Sequence, residues 1–181
     1  MQDWAEELAD PEEMDAFIGE IGERLKDFGA EADGYRKTAP LMTNVTMAVL
    51  EETLRRAEKA REKLLAVGEF NTVRPLIAGA LEGWALAEEL TDLLERRRER
   101  EALAARVPEG EMVEGLADAL NGYREASDAV ARLGAEAMKL GADPDSTDRL
   151  AEALQQRATA LVRMRQGEWR MEEIIEQAGY D

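Results

Sequence analysis

Residues 71–106, NTVRPLIAGALEGWALAEELTDLLERRREREALAAR, constrain the fold of this chain more than any other stretch. Val73, Ile77, Ala80, Trp84 and Ala87 recur at steps of 4, 3, 4 and 3, and Leu90, Leu93 and Leu94 continue the line. That spacing places them on one face of a single helix, which at about 1.5 Å per residue runs roughly 50 Å. Its long apolar face needs other long helices to cover it. Gly79, Gly83 and Ala87 add a stripe of small residues, so a neighbouring helix is expected to approach closely, with Trp84 filling the space where the approach ends.

The remaining segments supply such helices. Met14, Ile18, Ile21, Leu25, Phe28, Ala32 and Tyr35 repeat every 3.5 residues, the seam of a coiled-coil-like contact. Leu50, Leu54, Ala57, Ala60 and Leu64 form a second stripe, and Val113, Leu116, Leu120, Tyr123, Val130, Leu133, Ala137 and Leu140 a third, interrupted by a polar gap at Ser127. Asp10-Pro11 and Asp143-Pro144 each read as an N-cap followed by proline at the first helical position. Pro40 is expected to break the chain, with Thr43 or Asn44 capping the next helix. Asn71 is read as the cap of the central helix, residues 111–140 as the helix after it, and Gly167 as a kink in the last.

Only nine residues are aromatic, and Ala, Leu, Glu and Arg dominate, which favours helix over a sandwich or barrel. The expected fold is all-α: an elongated antiparallel bundle of five long helices plus a short N-terminal helix over residues 2–9. It is read as a single domain, 1–181, with an acidic segment 1–33, a central hairpin 41–106 and a C-terminal hairpin 111–178.

The absence of cysteine and histidine removes thiolate nucleophiles, the commonest acid–base group and the commonest metal ligand. No segment reads as a secretory signal or a membrane span, and a cytoplasmic location with no membrane contact is expected. The formal charge of −17 is concentrated in residues 1–33, with twelve acids against two bases, and in residues 107–181, with sixteen against eight. Such a field disfavours direct nucleic-acid binding and suits a basic partner.

Two carboxylate groups fall level when the helices flanking Pro108 run antiparallel: Glu88, Glu89 and Asp92, and Glu125 and Asp128. Their sequences, Glu88-Glu89-Leu90-Thr91-Asp92 and Glu125-Ala126-Ser127-Asp128, resemble the EExxE and ExxD boxes of the all-α nucleotide pyrophosphohydrolases. They depart from that pattern at Asp92 and in a longer spacer. The resemblance spans about forty residues and implies a Mg²⁺-dependent hydrolase with those five acids as ligands. Two points favour the non-enzymatic reading, with no cofactor: in a chain of forty acids such pairs arise by chance, and here they flank the buried line.

The function expected from the sequence is a helical interaction or structural protein, a subunit of a larger assembly or a homo-oligomer. Its expected contact residues are Arg96, Arg97, Arg98 and Arg100, in a segment without apolar members that is expected to project from the fold as an exposed ion-pair ladder. The other expected contact surface is the apolar cluster of Trp169, Met171, Ile174 and Ile175, which needs cover from elsewhere in the fold or from another chain. An alternative makes the acidic surface the active part: Glu6, Glu7, Asp10, Glu12, Glu13 and Asp15 would imitate a phosphate backbone and occupy the basic groove of a nucleic-acid-binding protein.

Overall fold

The computed structural model describes residues 4–108, 110, 111 and 113–180. The elements are α1 (Trp4–Glu7), α2 (Pro11–Arg36), α3 (Pro40–Val67), α4 (Phe70–Ala104), α5 (Leu116–Gly141), a 3-10 turn (Pro144–Ser146) and α6 (Thr147–Ala178). The chain is all-α, and the five long helices fall where the apolar periodicity places them. Gln2 and Asp3, assigned to the first helix, lie outside the described residues.

The helix starts show which local signals operate. Asp10 caps α2, its Oδ1 accepting from the Glu12 N–H at 2.8 Å, and Asp143 accepts from the Asp145 N–H at 3.0 Å and the Ser146 hydroxyl at 2.6 Å. The chain breaks before Pro40 as expected, α2 ending at Arg36, but the next helix is not capped by Thr43 or Asn44, because Pro40 itself is its first residue. A proline at the first helical position lacks only an N–H that has no partner there. Thr43 is therefore inside the helix, and its buried hydroxyl donates to the Ala39 carbonyl at 2.6 Å. Asn71 is likewise internal: Glu69 O accepts the Thr72 and Val73 N–H groups at 3.1 and 3.3 Å, so the start shifts upstream. α5 begins at Leu116 instead of near residue 111, because Gly115 at φ 81° holds a left-handed conformation that a helix cannot contain.

Two compact units divide the chain, Met1–Asp33 with Thr46–Glu89, and Gly34–Val45 with Leu90–Asp181. The division falls inside α2, α3 and α4, not at the turns that separate the hairpins in the sequence.

In the first unit, Met14, Phe17 and Ile21 of α2, Ala57, Ala60 and Leu64 of α3, and Val73, Ile77 and Ala80 of α4 form one core, joined by Ala5 of α1. Asp15 pairs with Arg61 while Gly29 lies beside Met47, so α2 and α3 run antiparallel. Thr53 beside Gly83 and Arg56 beside Gly79 give the same sense to α3 and α4. The small-residue stripe admits a close crossing: a Cβ built on Gly83 would run into the Thr53 hydroxyl, itself buried and donating to the Val49 carbonyl at 2.7 Å. Trp84 packs edge-on against Phe17, ring centroids 6.0 Å apart at 74°.

In the second unit, α5 and α6 are antiparallel. Gly115 lies beside Ile174, Tyr123 crosses Gly167, and the Arg157 Nε donates to the Val130 carbonyl at 3.2 Å. Gly167 makes no break in α6. It serves the crossing, since a Cβ there would sit 3.2 to 3.3 Å from the Cβ, Cα and N of Tyr123.

These packing roles predict opposite effects for two identical substitutions. Gly83→Ala should destabilise by about 1–3 kcal/mol, because overpacking displaces a buried side chain. Gly22→Ala, inside α2 with nothing within 4 Å of the new methyl, should stabilise by roughly 0.5–1 kcal/mol through lower unfolded-state entropy. Denaturant unfolding of both variants checks the signs.

Candidate functional site

The apolar line of α4 runs through Leu90 and Leu94 and then, still at helical spacing, meets Arg97 and Glu101. Instead of leaving the fold here, the helix places Arg97 in the interior with 3% of its surface exposed. A buried guanidinium needs every available acceptor and a counter-charge. Its Nη1 donates to Asp128 Oδ1 at 2.6 Å and to Ser127 Oγ at 3.0 Å, and its Nη2 donates to the Thr38 carbonyl at 3.0 Å. The Ser127 hydroxyl in turn donates to the Arg124 carbonyl at 3.0 Å. Among the described residues the Arg97 Nε has no hydrogen-bond partner, with Glu101 Oε1 lying 3.8 Å away.

Around this centre the charges close into pairs. Arg124 forks onto Glu101 with Nε at 2.6 Å and Nη2 at 2.5 Å. Arg100 reaches the buried Glu168 at 2.9 Å and Glu172 at 2.8 Å. Burial works against the Arg100 charge, yet the Glu168 hydrogen bond and both carboxylates outweigh it, and its pKa stands above the ordinary arginine value. Tyr123, 1% exposed, is pushed up to about 12, first by burial and then by the Glu168 carboxylate, with Arg100, Arg97 and Arg96 opposing. The cluster ties α4 to α5, to α6 and to the α2–α3 turn. Every carboxylate named in it faces an arginine, which is the chemistry of a lock.

The expected exposed ladder is thus corrected: Arg97 is interior and Arg100 half-buried in ion pairs, while Arg96 and Arg98 remain exposed. The C-terminal cluster also divides. Met171 and Ile175, at 0% and 1% exposure, are covered by this chain itself, Ile174 is half-buried, and Trp169 stands exposed. Of the acids considered for a metal, Glu88 and Glu89 belong to the first unit, and Asp92, Glu125 and Asp128 to the second. Asp128 is held by Arg97, and Glu88, Asp92 and Glu125 are exposed. Among the described residues no group of three or more carboxylates could hold a metal ion. Glu6, Glu7, Asp10, Glu12, Glu13 and Asp15 are all exposed on α1 and the start of α2. No helix among the described residues is long and apolar enough to cross a membrane. No known family model matches the chain, and neither a curated protein nor a solved structure does.

The Tyr123 environment predicts a pH dependence. An unfolded tyrosine ionises near 10, so between about pH 10 and 12 the folded chain holds a proton that the unfolded chain has lost. Stability therefore falls as pH rises through that window, by at most about 2–3 kcal/mol from this group, and is unaffected by it below pH 10. Urea unfolding across that range should show a shallower loss for Tyr123→Phe than for the parent. Equal slopes would show that the phenol is not held protonated.

Proposed function

We propose that the protein is a non-enzymatic helix-association protein, a subunit of an assembly, and that the outward face of α6 is its contact surface. One observation carries this reading: α6 has two apolar faces. Ala153, Ala160, Met164, Met171 and Ile175 are buried along one. Leu154, Ala158, Val162 and Trp169 lie on the far side, and Leu154, Val162 and Trp169 remain 49%, 56% and 65% exposed. Burying a side chain of this size contributes about 1.5–3 kcal/mol, so a continuous line of them on a regular helix suits a partner helix.

A photo-reactive residue in place of Val162 or Trp169, introduced in the source cells, should give discrete higher-mass adducts, and one in place of the exposed Glu23 of α2 should not. Adducts absent from both α6 positions, or equal from all three, would contradict the reading. Val162→Glu with Trp169→Glu should suppress the contact yet leave the unfolding free energy within about 0.5 kcal/mol of the parent for each change, since neither side chain is in the core.

A further inference from the structure

A second face of α6, turned away from the exposed apolar line, borders a shallow groove of about 380 Å³ between α5 and α6. Its floor is made of alanines and glycines. Gly122 on that floor is exposed, and a Cβ there would meet nothing within 4 Å, so its small size serves no contact within the chain. The rims are charged and of opposite sign: Asp118 and Glu125 stand on the α5 side, Arg163 and Arg170 on the α6 side. All four are exposed, and among the described residues none of them forms an ion pair or a side-chain hydrogen bond.

The rims share one spacing, seven residues, which is about 10.5 Å along a helix. Their levels also correspond. Tyr123 crosses Gly167 and Gly115 lies beside Ile174, so Asp118 is level with residue 172 and Glu125 with residue 165. Arg170 and Arg163 are each two residues from those levels, the same offset of about 3 Å, well within the reach of an arginine.

We infer that a second copy of this chain occupies the groove, forming an isologous dimer in which Asp118 faces Arg170 of the partner subunit and Glu125 faces Arg163 of the partner subunit. A two-fold axis parallel to the helices, midway between two such faces, carries α5 over the partner's α6 without altering any level along the helices. The acidic rim of each copy then meets the basic rim of the other, twice. The small-residue floor lets the two layers approach closely. Two chains of −17 repel over most of their surface, whereas this face, with two acids and two bases on its rims, is charge-balanced and so is where a second copy can approach. A partner helix of one charge sign would satisfy one rim and repel the other.

This inference rests on reading the protein as a helix-association protein, but it concerns a different face of α6. Its test uses the full chain in light scattering and sedimentation equilibrium. The parent should show twice the 20.1 kDa chain mass. Asp118→Arg with Glu125→Arg, and separately Arg163→Glu with Arg170→Glu, should each weaken self-association about tenfold or more. An equal mixture of the two variants should restore a dimer, because each then presents what the other lacks. Gly122→Leu, at a site open enough to leave the fold intact by circular dichroism, should also give monomer. A monomeric parent, dimers that survive both charge reversals, or a mixture that stays monomeric would each overturn the inference. All three outcomes leave adduct formation from Val162 and Trp169 as a separate question, so the two readings fail independently.

Discussion

The second unit is organised around a buried cation. Arg97 occupies a position in the α4 seam where the spacing calls for a leucine, and its guanidinium has to find acceptors on every element that packs there. It takes a carboxylate from Asp128, a hydroxyl from Ser127 and a carbonyl from Thr38. Asp128 and Ser127 on α5 take Nη1 and Thr38 before α3 takes Nη2, so sliding α4 along α5 by even one helical turn would break the set. Apolar side chains tolerate such a slip far better, because dispersion and burial carry little directional preference. The arginine therefore does for register what leucine cannot. It does less for stability, since desolvating a guanidinium and a carboxylate costs about as much as their attraction returns.

The other ion pairs extend the same logic outward. Glu101 is shared between the Arg124 fork and the neighbourhood of Arg97, and Arg100 joins α4 to Glu168 and Glu172 on α6. Tyr123 sits beside this cluster with its backbone against Gly167, so a close helix crossing and a charged network meet at one place. The first unit is held differently, by apolar packing and by the Gly83–Thr53 crossing. One chain thus uses two devices for aligning helices: steric approach in both units, joined in the second by polar matching.

The helices were legible from apolar periodicity, and both Asp-Pro starts from capping chemistry. The starts placed at Thr43 or Asn44, at Asn71 and near residue 111 were misplaced because competing start signals lie within a few residues of one another. The arginine cluster was misread for a physical reason. A run of charges on a helix is usually solvated, and nothing in Arg96-Arg97-Arg98 itself marks the middle member. Two signals did exist: Arg97 keeps the seam spacing from Leu90 and Leu94, and the α5 seam has its polar gap at Ser127. The two interruptions face each other, Nη1 to Oγ at 3.0 Å. The α5–α6 groove was not legible, because its rims belong to two helices whose level depends on the Tyr123–Gly167 crossing.

A double-mutant cycle across Arg97 and Asp128 tests most directly whether this pair governs the second unit. Arg97→Ala alone should cost about 3–5 kcal/mol, because it strands buried acceptors as well as removing a cation. Asp128→Ala alone should cost a comparable amount, because it leaves the buried guanidinium without the carboxylate it bonds at 2.6 Å. The coupling energy should be about 2 kcal/mol, within the range for directly bonded charged neighbours. A coupling below about 0.5 kcal/mol, the additive result expected of distant sites, would show that α4 is aligned by its leucines and that Arg97 is merely accommodated.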